Sequence, residues 1–509
     1  MAKKEQFQSQ IIAGYQFKGD SIVLGGAMLE GQVVENCTVS IPLKTMNRHG
    51  LIAGATGSGK TKTLQVLAEQ LSSKGTPVLL MDIKGDLSGI AVAGQKNEKI
   101  DDRHHKIGIS YTPNGNPVEF LTLSDEKGAR LRATVTEFGP VLFSKVLSLN
   151  DTQSSIVSVV FKYCDDNGLL LLDLDDFKKV LNYFINEGKD ELKGDYGNIS
   201  PMSIGTILRR VIELEQQGAA TFFGERSFEV DDLVRLDNQG RGIISILRLT
   251  DIQDRPKLFS TFMLQLLAEI YANFPEEGDM EQPKLCVFID EAHLVFSEAS
   301  KALQNQIETI IKLIRSKGVG VYFCTQNPQD IPDAVLGQLG MKMQHALRAF
   351  TAKDRQNIRL VAQNYPLTDY YDVENLITEL GIGEAFITVL NEKGIPSPLV
   401  QVMLRAPQSR MDVLSPAEID QILRGSNILG KYAEVINRES AYEVLSKKIE
   451  GMNGGNSSQS SGKPQKEEPG MFEKVLKSPV AKQVGTTLVR ELTRGLLGVL
   501  GLGGRKKIW

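Results

Sequence analysis

The chain is poor in net charge, in cysteine and in long apolar runs, and each shortage removes a class of protein from consideration. Its 58 basic and 62 acidic side chains nearly cancel, leaving a formal charge of −4 and a pI near 5.9. The whole-molecule basic footprint of most nucleic-acid binders is therefore missing, and any contact with DNA has to be local. The four cysteines, Cys37, Cys164, Cys286 and Cys324, lie far apart with no CxxC pair and no histidines at zinc-ligand spacing, so they read as reduced thiols. Cys286 and Cys324 fall inside apolar runs, where cysteine acts as a small buried hydrophobe. No stretch is long enough to span a bilayer as a helix, and the opening Met1-Ala2-Lys3-Lys4-Glu5-Gln6 lacks the apolar core of a secretory signal. The expected location is the cytoplasm.

What is present is an ordinary core-forming composition, 41% hydrophobic and 24% charged, in a chain of 509 residues that is too long for one compact core. Short strands are predicted within 20–45, at Ile22-Val23-Leu24 and Cys37-Thr38-Val39-Ser40-Ile41. Gly50-Leu51-Ile52-Ala53-Gly54 reads as a strand entering a glycine loop. A helix follows over 60–73 with Leu64, Leu67, Ala68 and Leu71 on one face, and then a strand at Pro77–Asp82. This βαβ unit predicts a parallel sheet. Helical spacing dominates from about Leu131 to Gln239. Strand-like runs resume at Ile243–Leu247, Leu285–Ile289 and Val319–Cys324, with further candidates at Gln344–Phe350, Ala385–Leu390 and Leu399–Leu404.

The expected divisions are a short N-terminal β element (1–45), the first part of an α/β core (46–130), a mainly helical insertion (131–240), the second part of the core (241–406), C-terminal helices (407–451), a flexible linker (452–469) and a tail (470–509). The helices after Pro407 begin with capping boxes at Ser415–Glu418 and Ser440–Glu443. The tail carries an apolar face, Val484, Leu488, Leu492, Leu496, Leu497 and Leu500, and a basic end at Arg505-Lys506-Lys507 before Ile508 and Trp509. It suits docking on its own domain or a neighbouring subunit; a protein partner or peripheral contact with a membrane surface is the alternative.

The chemistry begins at Gly54-Ala55-Thr56-Gly57-Ser58-Gly59-Lys60-Thr61, a complete GxxxxGK[ST] pattern between a predicted strand and a predicted helix. Such a loop turns its backbone N–H groups onto phosphate oxygens at a helix N-terminus. Lys60 is placed to reach the β and γ phosphates of ATP, and Thr61 to help hold Mg²⁺. Five apolar residues then lead into Asp290-Glu291, which puts an acid pair at the carboxyl end of a buried strand rather than on the surface. Asp290 is the expected metal-shell ligand and Glu291 the base for the attacking water. Gln326 ends the next strand and is either a γ-phosphate sensor or a turn residue before Pro328. Asp82, Lys84 and Asp86 close the second strand near the phosphates, with Asp82 assigned to nucleotide binding.

Arg48-His49-Gly50-Leu51-Ile52-Ala53-Gly54, Asp82-Ile83-Lys84-Gly85-Asp86, Asp290-Glu291-Ala292-His293 and Thr325-Gln326-Asn327-Pro328 together resemble the HerA/FtsK group of ATPases, most nearly the bacterial YjgR-type HerA-like proteins, over about 20–405 and in the glycine-rich basic tail. The resemblance implies an α/β RecA-like fold with a mainly parallel sheet, ATP and Mg²⁺ as ligands, and homo-hexameric rings with sites between subunits. The function it implies is DNA translocase or helicase-like work; the alternative is an ATPase acting on a protein or envelope partner through the tail. It also implies an arginine supplied by a neighbouring subunit, for which Arg315 and Arg48 are the matching positions. Only 53 residues precede the glycine loop, so a complete β-barrel assembly domain like that of archaeal relatives is not expected.

Overall fold

A computed structural model describes residues 2–454 apart from 279, 297–300, 435 and 437. Most of the linker predicted over 452–469 and all of the tail from 470, with its docking role, lie outside the described residues. Among the described residues no helix is long and apolar enough to cross a membrane.

Among the described residues twelve strands form one sheet: β1 (Ser21–Leu29), β2 (Gln32–Pro42), β3 (Gly50–Ala53), β4 (Val78–Asp82), β5 (Val118–Thr122), β6 (Ala129–Arg130), β7 (Ile244–Arg248), β8 (Leu285–Ile289), β9 (Val319–Thr325), β10 (Met341–Gln344), β11 (Glu384–Thr388) and β12 (Val400–Leu404). Their order is β2-β1-β12-β11-β10-β3-β9-β8-β4-β7-β5-β6. Every pairing from β10 to β6 is parallel, and every pairing from β10 to β2 is antiparallel. The sheet is thus mainly parallel, as expected.

Period-two alternation splits the core between the two faces. Leu79, Met81, Val287 and Ile289 point into one apolar cluster, and Val78, Leu80, Cys286 and Phe288 into the other. Both faces are covered, which is why these strands read as continuous apolar runs. All four cysteines are buried free thiols.

The strands expected near the N-terminus do not stand apart. β1 pairs with β12, as at Gly25 with Leu404, and lengthens the main sheet. The helix Ala2–Tyr15, which was not anticipated, packs beside them through buried Phe7, Ile11 and Tyr15 at four-residue spacing. Helices Val135–Val146, Asp151–Asn167, Leu174–Ile185, Lys189–Asp195 and Pro201–Gln216 occupy the middle of the chain. Capping boxes at Thr134, Asn150 and Asp173 begin the first three. Their buried faces, including Phe138, Phe143, Phe161 and Phe177, continue into the cluster beneath the sheet, so this region shares the core of the strands. Helix Pro416–Arg424 starts at the Ser415 capping box.

Candidate nucleotide site

β3 is a central, fully buried strand between β10 and β9, and its short span delivers the chain straight into the glycine loop. The loop is anchored by backbone bonds from Gly54 N–H to the Thr325 carbonyl (3.2 Å) and from Ala55 N–H to the Ala346 carbonyl (2.8 Å). Gly59, the residue before helix Lys60–Ser73, has φ +111°, and a Cβ there would sit 3.2 Å from the backbone nitrogen of Gly383. Only glycine takes that backbone conformation without strain and tolerates so close a neighbour. The Gly383 N–H in turn donates to the Ser58 carbonyl at 3.0 Å, and Arg103 fastens this brace by donating to the carbonyls of Gly383, Ile382 and Leu404.

Lys60 is buried, and its ammonium donates to the carbonyls of Gly54 (2.6 Å) and Ala55 (3.1 Å), inside the loop's curve. Burial and then the charge of Lys84 push its pKa down, against the pull of Glu291 and Asp290. Thr61 follows in the first turn, half-buried. Ala55, Thr56, Gly57 and Ser58 form the crest of the loop, with Thr56 and Gly57 exposed.

The acid pair stands at the carboxyl end of β8, two strands from β3. Asp290 is 3% exposed. Burial raises its pKa to about 6 against the opposing charge of Lys84, and its Oδ2 is buried with no hydrogen-bond partner. A buried, unsatisfied carboxylate oxygen costs free energy unless a cation or donor completes it. Together with the Thr61 hydroxyl, it fits the oxygen chemistry of Mg²⁺. Glu291 has φ +44°, the left-handed region, which is uncommon for a non-glycine residue. Burial pushes its pKa up, but the Lys84 hydrogen bond and charge, His293 and Gln326 outweigh that and hold it below the ordinary value.

Gln326 lies at the end of β9, between β3 and β8. It accepts from the Thr56 hydroxyl at 3.3 Å and donates to Glu291 Oε1 at 3.5 Å, so one side chain touches both the glycine loop and the acid. Asp82 takes a different position from the one expected. Its two carboxylate oxygens accept the backbone N–H groups of Gly85, Asp86 and Leu87, so it is spent on folding the turn after β4 and reaches the phosphate region only through that turn. Burial, the largest influence, raises its pKa to about 7.

Arg315 and Arg48 are not brought to this edge. Arg315 lies in the turn before β9 and Arg48 just before β3, at the amino ends of strands whose carboxyl ends carry the site. The seven residues of β9 separate Arg315 from Gln326 by roughly 20 Å, and the four residues of β3 separate Arg48 from the glycine loop. Between them His49 is buried. It accepts the Val321 N–H at Nδ1 (3.1 Å), which leaves Nε2 to donate to the Ile311 carbonyl (2.8 Å).

Three participants escaped the sequence reading: the ion pairing of Lys84, the Arg103–Gly383 brace and His345. His345 is fully buried behind the loop, its Nε2 2.9 Å from the Thr63 hydroxyl. Burial and the Lys60 charge lower its pKa to about 4, which keeps it neutral.

The family model described as "Helicase HerA-like C-terminal" matches residues 28–470. A DNA double-strand break repair helicase HerA of Sulfolobus acidocaldarius is 22% identical over 373 residues, 69% of this chain and 64% of that protein. The protein of the same description from Sulfurisphaera tokodaii is 23% identical over 407 residues, 78% and 73%. The chain therefore spans under two thirds of the length of the first of these relatives. Among solved structures, the bacterial conjugative coupling protein TrwBdeltaN70 superposes with TM-score 0.51 at 15% identity, covering 81% of this chain and 94% of that one. The plasmid coupling protein TrwB in complex with ADP and Mg²⁺ gives 0.52 at 13%, covering 80% and 94%. The shared fold is the RecA-like P-loop arrangement.

Proposed function

Since the chain belongs to the helicase HerA-like C-terminal family and is a HerA/FtsK-type P-loop ATPase, we propose that it is a ring motor that hydrolyses ATP to move along or open DNA. The observation that carries this reading is the convergence of four strand ends. The glycine loop after β3, Gln326 after β9, Asp290-Glu291 after β8 and the turn after β4 meet at one edge of a parallel sheet, in the order in which the strands lie. Ligands gather at such edges.

In the mechanism that follows, the loop and Lys60 bind the triphosphate, and Thr61 and Asp290 would hold Mg²⁺, which would supply charge neutralisation for the phosphates. Glu291 orients water and takes its proton as the oxygen attacks the γ-phosphorus. The bond from that phosphorus to the β–γ bridging oxygen breaks, giving ADP and phosphate. Gln326 reports the state of the γ-phosphate to the loop through Thr56. Arg315, and Arg48 beside it, act on the neighbouring subunit's nucleotide. They lie on the opposite edge of the sheet, and a head-to-tail ring contact joins unlike surfaces of successive subunits.

The test is ATP turnover by the full chain with and without single- or double-stranded DNA at low salt, where phosphate contacts are strongest, with native mass measured under the same conditions. Stimulation by DNA in a ring-sized assembly is the expected result. Turnover indifferent to both forms of DNA refutes the DNA reading, and wild-type hydrolysis by Glu291→Gln refutes the assignment of the base.

A further inference from the structure

Lys84 stands on a turn that is fixed from both sides. Asp82 gathers the N–H groups of Gly85, Asp86 and Leu87, and Gln253 Nε2 donates to the Ile83 carbonyl at 2.7 Å. Gly85 has φ +76°, and a Cβ there would lie 2.8 Å from the Thr250 methyl, so the turn sits tightly against the segment after β7. From this platform the Lys84 ammonium forms an ion pair with Glu291 Oε1 and lies 4.0 Å from Asp290 Oδ2.

A lysine with a third of its side chain exposed usually makes an ion pair of little consequence. Here the setting differs, because the two carboxylates are only 4% and 8% exposed. Adjacent buried carboxylates repel one another, and an ammonium set beside both offsets that repulsion. The Glu291 carboxylate is thus held at Oε1 by Lys84 on the β4 side and by Gln326 on the β9 side, with His293 Nδ1 3.2 Å from Oε2. Its left-handed backbone is a conformation that persists only where the surroundings impose it.

We infer that Lys84 is a positioning residue for hydrolysis: it fixes the Glu291 carboxylate at the point from which that group aligns the attacking water. The chain of contacts Lys84–Glu291–Gln326–Thr56 then runs across four neighbouring strand ends, so the place of the base is set from the edge of the site farthest from the glycine loop. The inference rests on the function proposed above, with Glu291 as the base. It separates Lys84 from Lys60, which binds the nucleotide itself.

The experiment measures steady-state ATP hydrolysis by the full chain carrying Lys84→Ala, Lys84→Arg, Glu291→Gln and the Lys84→Ala/Glu291→Gln pair, with thermal melts to confirm folding. Lys84→Ala should lower kcat about 100-fold, the scale of a misplaced catalytic group, with KM for ATP within about threefold of wild type because the loop is untouched. Lys84→Arg, which keeps the charge, should recover most of the rate. In the Glu291→Gln background, loss of Lys84 should add less than a further twofold, since the group it positions is already disabled. A Lys84→Ala protein with wild-type kcat overturns the inference, and so does a rise in KM that accounts for the whole loss, or an effect in the double variant as large as in the single one. If Lys84→Ala melts early, the Lys84→Arg rate and the double-variant comparison decide. Undiminished hydrolysis by Glu291→Gln signals instead that the reading of the base has failed.

Discussion

The two edges of the parallel sheet are built on opposite plans. At the carboxyl edge, strands β3, β9, β8 and β4 end in polar and charged side chains that touch one another: Thr56, Gln326, Glu291 and Lys84. At the amino edge the lead-in to β3 is locked to β9 by a buried imidazole and to β10 by backbone bonds from Gly340 N–H to the Arg48 carbonyl and from Met341 N–H to the His49 carbonyl. Arg315 there is exposed, offering its guanidinium outward. On the function proposed above, the carboxyl edge is the reaction edge and the amino edge is the rigid mount from which Arg315 is presented. That reading has the mount of one copy meet the reaction edge of the next.

Substitutions at the two edges should therefore fail in different ways. The largest loss belongs to Lys60→Ala, which should abolish productive nucleotide binding, read as absence of a fluorescent-ATP titration and of turnover. Arg315→Ala should bind ATP normally yet lose about three orders of magnitude in turnover, the lower end of what a finger arginine contributes, with no change in melting temperature because the side chain is exposed. Mixing the two variants should restore a measurable fraction of activity, since some interfaces then pair an intact loop with an intact arginine. No recovery would break the contrast between the edges.

The carboxyl edge was largely legible in the sequence because its main parts are contiguous: eight residues of glycine loop next to a strand and a helix, and five apolar residues ahead of an acid pair. The mainly parallel sheet was legible for the same reason, its strands being apolar runs at recognisable intervals. What escaped depends on residues brought together only by folding. Arg103 reaches Gly383 and Leu404, His345 reaches Thr63, and Lys84 reaches Glu291; nothing in the local pattern of either partner signals the other. Asp82 stands at a strand end, a position shared by ligand-binding acids and by acids that cap a turn, and only folding reveals its bonds to Gly85, Asp86 and Leu87. The N-terminal helix went unread although Phe7, Ile11 and Tyr15 keep its spacing, because lysine and glutamine crowd the remaining positions.

The rigidity of the amino edge can be weighed by pH. Burial lowers the pKa of His49 to about 4, with the nearby Arg315 charge adding to it, whereas an unfolded histidine titrates near 6.5. Folding thus favours the neutral ring, so its contribution is fully present above about pH 6.5 and falls away as pH drops toward 4. The stability difference between wild type and His49→Gln, taken from urea unfolding, should shrink by about 2 kcal/mol between pH 7 and pH 5. The buried carboxyls Asp82 and Glu69, both raised to about 7, titrate in the same range but cancel in the difference. A constant difference would show that His49 does not hold the mount in its neutral form.

The smallest effect should come from Thr56→Val at the reaction edge. Its hydroxyl donates one neutral hydrogen bond of 3.3 Å to Gln326 from an exposed position, and such a bond contributes about 0.5–1 kcal/mol. Turnover should fall about two- to fivefold with the melting temperature unchanged, while Gln326→Ala, which also releases Glu291, should cost about tenfold or more. The ratio between the two variants measures how much of the work of Gln326 passes through the glycine loop and how much through the acid. Equal losses would assign all of it to the loop, and the line of contacts across the strand ends would then stop at Gln326.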